Sequence, residues 1–227
     1  MQIETDLKKH KYMLGMPCYS GNMAMRTATS LVDTAMYCAQ QGIQIEFTLV
    51  PNGTLIDAAR NEIAHAFLES DCDTLICVDA DMTWTWQMME RLLVFSGHYP
   101  IVVGGYQCKM DEPKFIIAPE TYEFNEHGLL PIKHAGFGFV ALQRTALEQM
   151  APHVDSYYDK HKEINFKAFF RFEIKDGQYV GEDVYFFHKA KEVGLQPMVD
   201  PMIELGHMGM KEYNTPFHIA VQEALAR

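Results

Sequence analysis

The chain predicts an α/β fold built on a mainly parallel central sheet, and three observations carry that expectation. Short apolar runs alternate with stretches of helical periodicity over the first hundred residues. One of those runs, Leu75-Ile76-Cys77-Val78, has no polar interruption, as a strand buried on both faces requires. It ends in Asp79-Ala80-Asp81, two carboxylates at the strand edge where open α/β sheets place their ligands. With 227 residues, 48% hydrophobic and 22% charged, a single soluble domain with a sizeable core is expected.

The elements follow in order. Lys11 to Met16 reads as a first strand closed by Pro17, and Cys18 to Asn22 as a loop with Asn22 capping a helix from Ala24 to Gln41. Met23, Met25 and Met36 of that region are expected to fill core. Ile43 to Val50 alternates and is rich in β-branched residues, a second strand, and Pro51-Asn52-Gly53-Thr54 is a turn. Leu55 to Glu69 is helical, Thr74 to Val78 a strand, Thr85 to Phe95 a helix and Ile101 to Val103 a fourth strand. Such strict alternation predicts parallel strands with helices on both faces. Beyond Gly104-Gly105 the pattern shortens. Phe115 to Ile117, Leu129 to Ile132 and Gly138 to Leu142 are strands, with a turn at Asn125 to Gly128 and a short helix from Thr145 to Met150. Pro152 to Gly181 reads as a long loop with little regular structure, Glu182 to Val193 as a helix ending at Gly194, and Met198 as the centre of a last strand.

The net charge of −11 opposes sequence-independent nucleic-acid binding, which depends on Lys and Arg neutralising phosphates. The five cysteines (Cys18, Cys38, Cys72, Cys77, Cys108) are odd in number and match no zinc or redox spacing, so reduced thiols are expected, Cys38 and Cys77 in the core. No apolar run is long enough to span a bilayer, and Met1 to Asp6 lacks the positive-then-apolar pattern of a secretion signal. A cytoplasmic protein is expected.

Three segments carry chemistry. Asp79 and Asp81 close the buried strand and suit a hard divalent cation. Glu182 and Asp183 follow Gly181 at a helix start, a position that acids also favour for capping and for the helix dipole. His207 stands between Gly206 and Gly209 after the last strand, where a structural histidine is the alternative.

In this order the segments resemble the GT-A glycosyltransferases, in particular compact, family-2-like enzymes of phage and bacterial type. Met16-Pro17-Cys18-Tyr19, Ala59-Arg60-Asn61, Val78-Asp79-Ala80-Asp81, Gly136-Phe137-Gly138 and Gly181-Glu182-Asp183 carry the resemblance, which runs from Leu14 to about Gly209. It implies a Rossmann-like three-layer sandwich with a small antiparallel subsheet on the acceptor side. The nucleotide-binding half would span about 11–108 and the acceptor half about 109–210, with 211–227 a C-terminal segment. It further implies Mn²⁺ or Mg²⁺ on Asp81 and His207, with Asp79 on the ribose or the metal's water shell. Asp183 would be the base, with Glu182 orienting acceptor or donor sugar. Pro17 and Tyr19 would lie along the base, and Arg60 near base or diphosphate. The activity implied is transfer of a sugar from a nucleoside diphosphate, UDP first, to the hydroxyl of a glycan, small molecule or modified nucleic acid. A base opposite the leaving group gives inversion.

Lys109 is a second candidate for the diphosphate, with a solvated lysine as the alternative. Gly136 and Gly138 either admit the donor sugar or serve a bulge. Trp84 and Trp86 are assigned to helix packing rather than to an acceptor ring. The run Tyr157 to Arg171 interleaves aromatic and basic residues and is expected to shape the acceptor side; if the acceptor were a hydroxymethylated base in phage DNA, this run would be the contact. Two rivals stand beside the transferase. A nucleotidyltransferase would open with a Gly-rich phosphate loop, which Pro17 to Gly21 lacks; a non-catalytic nucleotide-sugar-binding module would bind without turnover.

Overall fold

Strand β1 (Lys11–Cys18) sets the architecture through a strict two-residue period. Tyr12, Leu14 and Met16 enter one apolar core while Met13 enters the other, so the strand is covered on both faces. The structure is a computed structural model that describes residues 5–51 and 55–226. Met1 to Glu4, most of the turn expected at 51–54, and Arg227 lie outside the described residues.

The remaining elements are α1 (Met25–Gln41), β2 (Gln44–Pro51), α2 (Ile56–Glu69), β3 (Thr74–Val78), β4 (Met82–Thr83), α3 (Trp86–Ser96) and β5 (Ile101–Gly104). They continue with β6 (Ile117–Pro119), β7 (Leu130–Ala135), β8 (Phe139–Gln143), α4 (Arg144–Met150), β9 (Ser156–Asp159), β10 (Ile164–Lys167), β11 (Glu173–Lys175) and β12 (Gln178–Val180). The chain closes with α5 (Glu182–Glu192), β13 (Met198–Asp200), β14 (Gly206–Met208), β15 (Glu212–Tyr213) and α6 (Phe217–Leu225).

The central sheet has eight strands in the order β2-β1-β3-β8-β5-β13-β7-β6. Six run the same way, while β8 and β7 run against them. Helices α2, α4, α5 and α6 bury residues in one core and α1 and α3 in the other, which makes three layers. The expected parallel run through the first hundred residues holds for β2, β1 and β3, but β8 enters antiparallel between β3 and β5. Its sequence demands a central slot: Phe139 and Ala141 face one core, Val140 and Leu142 the other.

Several expectations need correction. Pro17 does not close β1. It pairs in register with Val50, beyond the reach of β3, whose last partner on β1 is Gly15, so the missing N–H breaks no ladder on that side. Ala24, not Asn22, is the N-cap of α1, and its N–H donates to the Ala80 carbonyl at 2.8 Å. Met25 and Met36 are 86% and 55% exposed rather than core; Met23 does pack against the core.

The segment 152–181 is not an irregular loop. It forms the hairpins β9–β10 and β11–β12. The second turns on Asp176-Gly177, both with positive φ, the pair that a two-residue hairpin loop prefers. In the first, the Asp159 carboxylate accepts from the His161 and Lys162 amides at 2.8 and 3.1 Å. Phe166, Phe169 and Phe170 of this segment are core, and all five cysteines are free thiols. Burial pushes the Cys77 thiol up to about 12 and Cys38 to about 11.

Candidate active site

Buried β3 ends at Val78, and the chain then turns: the Met82 amide donates to the Asp79 carbonyl at 3.1 Å. Asp79 and Asp81 are thereby presented at the lip of a cleft of about 370 Å³ shared with Pro17, Tyr19, Asn22, Met23 and Ile56. Pro17 and Tyr19 thus lie beside the carboxylates, and Tyr19 is 70% exposed.

His207 does not sit in a loop. It lies on β14, the middle strand of a three-stranded sheet β15-β14-β4, in register with Met82 and Tyr213. Because β4 directly follows Asp81, the Met82 pairing delivers the imidazole to that carboxylate. Nε2 of His207 is 3.6 Å from Asp81 Oδ1, and the Met208 amide donates to the Asp81 carbonyl at 2.7 Å. His207 Nδ1 lies 3.0 Å from the Gln107 carbonyl oxygen. A carbonyl only accepts, so Nδ1 donates to Gln107 and Nε2 is the ring nitrogen turned toward Asp81.

That donor set fits a divalent cation. An ion about 2.1 Å from each ligand spans up to about 4.2 Å between them, so Asp81 and His207 need no rearrangement to share one. Imidazole held through its other nitrogen is the usual support for a metal ligand. Asp79 is placed differently, with its Oδ1 2.8 Å from Arg60 Nη2. Among the described residues, the ligand trio within 4.8 Å of one another is instead Glu46, Asp71 and Cys72. It lies toward the start of the strands, and Lys11 already neutralises its Asp71.

Arg60 is only 5% exposed and joins two parts of the site. Its Nη2 holds Asp79, its Nη1 holds Glu182 at the start of α5, and its guanidinium lies 5.5 Å from the Phe137 ring centroid. Burial disfavours its charge, yet the two carboxylates outweigh that cost and hold it charged. Burial raises the Glu182 carboxyl above its ordinary range, against the pull of Arg60. Asp183 is half-buried next to it, its Oδ1 accepting from the Val184 amide at 2.7 Å.

Lys109 contacts Asp81 directly. Burial works to raise the Asp81 pKa, but the bonds from His207 and Lys109 prevail and hold it at about 2. Gly136 and Gly138 have a local reason. A Cβ on Gly136 would come 2.3 Å from the Tyr106 hydroxyl, and one on Gly138 2.9 Å from Tyr106 Cζ. The buried Tyr106 ring needs that space, and its hydroxyl accepts from the Gly138 amide at 3.2 Å. Burial first, and then Asp79 and Asp183, push its pKa up.

Three residues contribute in ways for which the sequence assigned no role. Gln107 acts through its backbone carbonyl, for which no residue type is a signal. Tyr106 was visible only as the residue after Gly104-Gly105. Asn61 pins the aromatic segment to α2, donating to the Phe170 carbonyl at 2.8 Å and accepting from the Phe170 amide at 2.9 Å; a buried Asn inside a helix was the available signal. Trp84 is core, with Nε1 2.8 Å from Thr34 Oγ1, and Trp86 stacks on Tyr37, as packing roles predict.

No protein-family model matches the chain, and no curated protein matches its sequence significantly. Solved structures do. A197 from STIV aligns with a TM-score of 0.52 over 88% of this chain and 86% of its own, at 20% identity. GalNAc-T7, solved with UDP, GalNAc and Mn²⁺, aligns with a TM-score of 0.53 over 92% of this chain at 11% identity. The fold is GT-A. The likeness at these identities speaks for the fold, and the chain spans about half, 47%, of the GalNAc-T7 structure. Within the GT-A frame, the Asp79 end of β3 and the β4–β14 pairing form one lip of the cleft, and Arg60 ties that lip to α5. Among the described residues no helix is long and apolar enough to cross a membrane.

Proposed function

We propose that this protein is a metal-dependent glycosyltransferase that moves a sugar from a nucleoside diphosphate, UDP first, to an acceptor hydroxyl. The observation that carries the proposal is the Asp81–His207 pair, 3.6 Å apart beside the cleft lined by Pro17, Tyr19 and Asp79. Mn²⁺ or Mg²⁺ held by Asp81 and His207 supplies Lewis-acid neutralisation of charge on the departing diphosphate. GalNAc-T7, which shares the fold, was solved with UDP and Mn²⁺.

Pro17 and Tyr19 take the nucleotide base, and Asp79 the ribose or the cation's water shell. Arg60 acts from beneath, fixing Asp79 and Glu182 in their orientations. Asp183 accepts the proton of the attacking hydroxyl, and Glu182 orients the sugar or acceptor beside it. General-base help of this kind contributes roughly 10²–10⁴-fold. A single base opposite the leaving group gives inversion. The strand-end half, about 11–108, serves the donor and the part from about 109 to 210 the acceptor. Gly136 and Gly138 serve the Tyr106 packing as well as the approach to the sugar.

Thermal unfolding with Mn²⁺, UDP and a panel of nucleoside-diphosphate sugars tests the assignment. A rise in Tm with metal and UDP together, beyond that with either alone, is expected from mass action. If no nucleotide raises Tm in the presence of metal, the donor assignment fails.

A further inference from the structure

Gln107 and Lys109 are two residues apart on the segment between β5 and β6, and both address the same metal-binding pair. The Gln107 carbonyl fixes His207 through Nδ1 at 3.0 Å, and the Lys109 ammonium contacts Asp81 Oδ2. The Lys109 stem passes Gly209, just beyond β14, where an added Cβ would meet its Cδ at 3.2 Å. Asp81 thus has His207 on one oxygen and Lys109 on the other. Glu182 and Asp79 share the cation of Arg60, so Lys109 is the cation that Asp81 itself holds. The contact is half-open: the Lys109 side chain is 39% and the Asp81 side chain 37% exposed.

We infer that Lys109 couples metal binding to nucleotide binding. The inference rests on the metal-dependent reading above and adds a role for this lysine to it. A divalent cation arriving at Asp81 Oδ1 meets a carboxylate already engaged by an ammonium on Oδ2, and repulsion between the two positive charges weakens that ion pair. Released alone, the ammonium returns to water. Released in the presence of a nucleoside diphosphate, it gains phosphate oxygens as new partners, for which lysine serves as a point charge. Each ligand therefore lowers the cost of binding the other. By linkage the factor by which the nucleotide raises metal affinity equals the factor by which the metal raises nucleotide affinity.

The test is Mn²⁺ binding to the full chain, read by calorimetry and by the electron paramagnetic resonance of free Mn²⁺, with and without UDP. Wild type is compared with Lys109→Met, which keeps the stem over Gly209 and removes the charge. In the variant, Mn²⁺ alone is expected to bind about twofold to fivefold tighter, the range that half-exposed ion pairs span. The enhancement of Mn²⁺ affinity by UDP, expected at about 5- to 150-fold in wild type, is expected to shrink toward one in the variant. Lys109→Arg, which keeps a cation, is expected to retain most of it. Equal enhancement in wild type and Lys109→Met overturns the role of Lys109 and leaves the donor site standing. Failure of both proteins to bind Mn²⁺, with or without UDP, overturns this inference together with the metal-dependent reading.

Discussion

Arg60 Nη2 stands 2.8 Å from Asp79 Oδ1 while Nη1 of the same guanidinium holds Glu182, so one buried cation spans the end of β3 and the start of α5. The two elements have no strand pairing with each other, and the fork fixes their relative placement.

Removing that cation is expected to be costly. Arg60→Met strands Glu182, a carboxylate with a 12% exposed side chain, and should lower stability by about 3–5 kcal/mol in urea unfolding. Adding Glu182→Gln should recover part of the loss, because the two substitutions act on one pair. A loss below about 1 kcal/mol for Arg60→Met alone would show the fork to be dispensable.

Asp183 is expected to separate chemistry from donor binding. Asp183→Asn should lower kcat by about 10²–10⁴ and leave Kd for UDP with Mn²⁺ unchanged. Intact turnover in that variant removes Asp183 from the role of base and leaves a binding module as the reading.

Tyr106 gives the two glycines different rules. At Gly136 the nearest atom to an added Cβ is the Tyr106 hydroxyl, at 2.3 Å, whereas at Gly138 ring carbons come to 2.9 and 3.0 Å. Either alanine should destabilise by about 1–3 kcal/mol. Tyr106→Phe should relieve most of the cost of Gly136→Ala and little of that of Gly138→Ala. Equal relief at both positions contradicts the packing described.

Asp81 sets an acid limit. Its pKa is held at about 2, below the ordinary 3.8, by His207 and Lys109 against the opposing effect of burial. A depressed carboxylate contributes stability above the unfolded value that is lost as pH falls through the folded one, so the window is about pH 4 to 2. In metal-free buffer Asp81→Asn should melt below wild type at pH 5 and converge on it near pH 2. Partial exposure keeps the gap small. A gap of constant size across that range means the carboxylate is not the source.

Much of the strand-end half was legible because its signals are local. Four apolar residues before Asp79 demand burial on two faces, and helical periodicity from Leu55 to Glu69 places Arg60 behind them. What escaped was long-range or short. Nothing in Phe139–Gln143 encodes direction, so the antiparallel entry of β8 is a property of the partners on either side. Strands of three or four residues at β9 to β12 carry too little alternation, although Asp176-Gly177 announced one of the turns. His207 looked like a loop residue because β14 has only three residues and takes its partners from β4 and β15. The exposed Met25 and Met36 show that methionine on an amphipathic helix does not by itself mark the inward face.

The threading of β8 between β3 and β5 also orders assembly in time. A nascent chain presents β1, β2, β3 and β5 first, yet β3 and β5 are not joined into one sheet until residues 139–143 emerge and slot between them. Until then the half that carries Asp79 and Asp81 displays two unzipped edges, the kind that recruit strands from other molecules. Truncation before Phe139 therefore yields an aggregation-prone fragment rather than a donor-binding module, and delayed, non-local closure makes slow folding intrinsic to this topology.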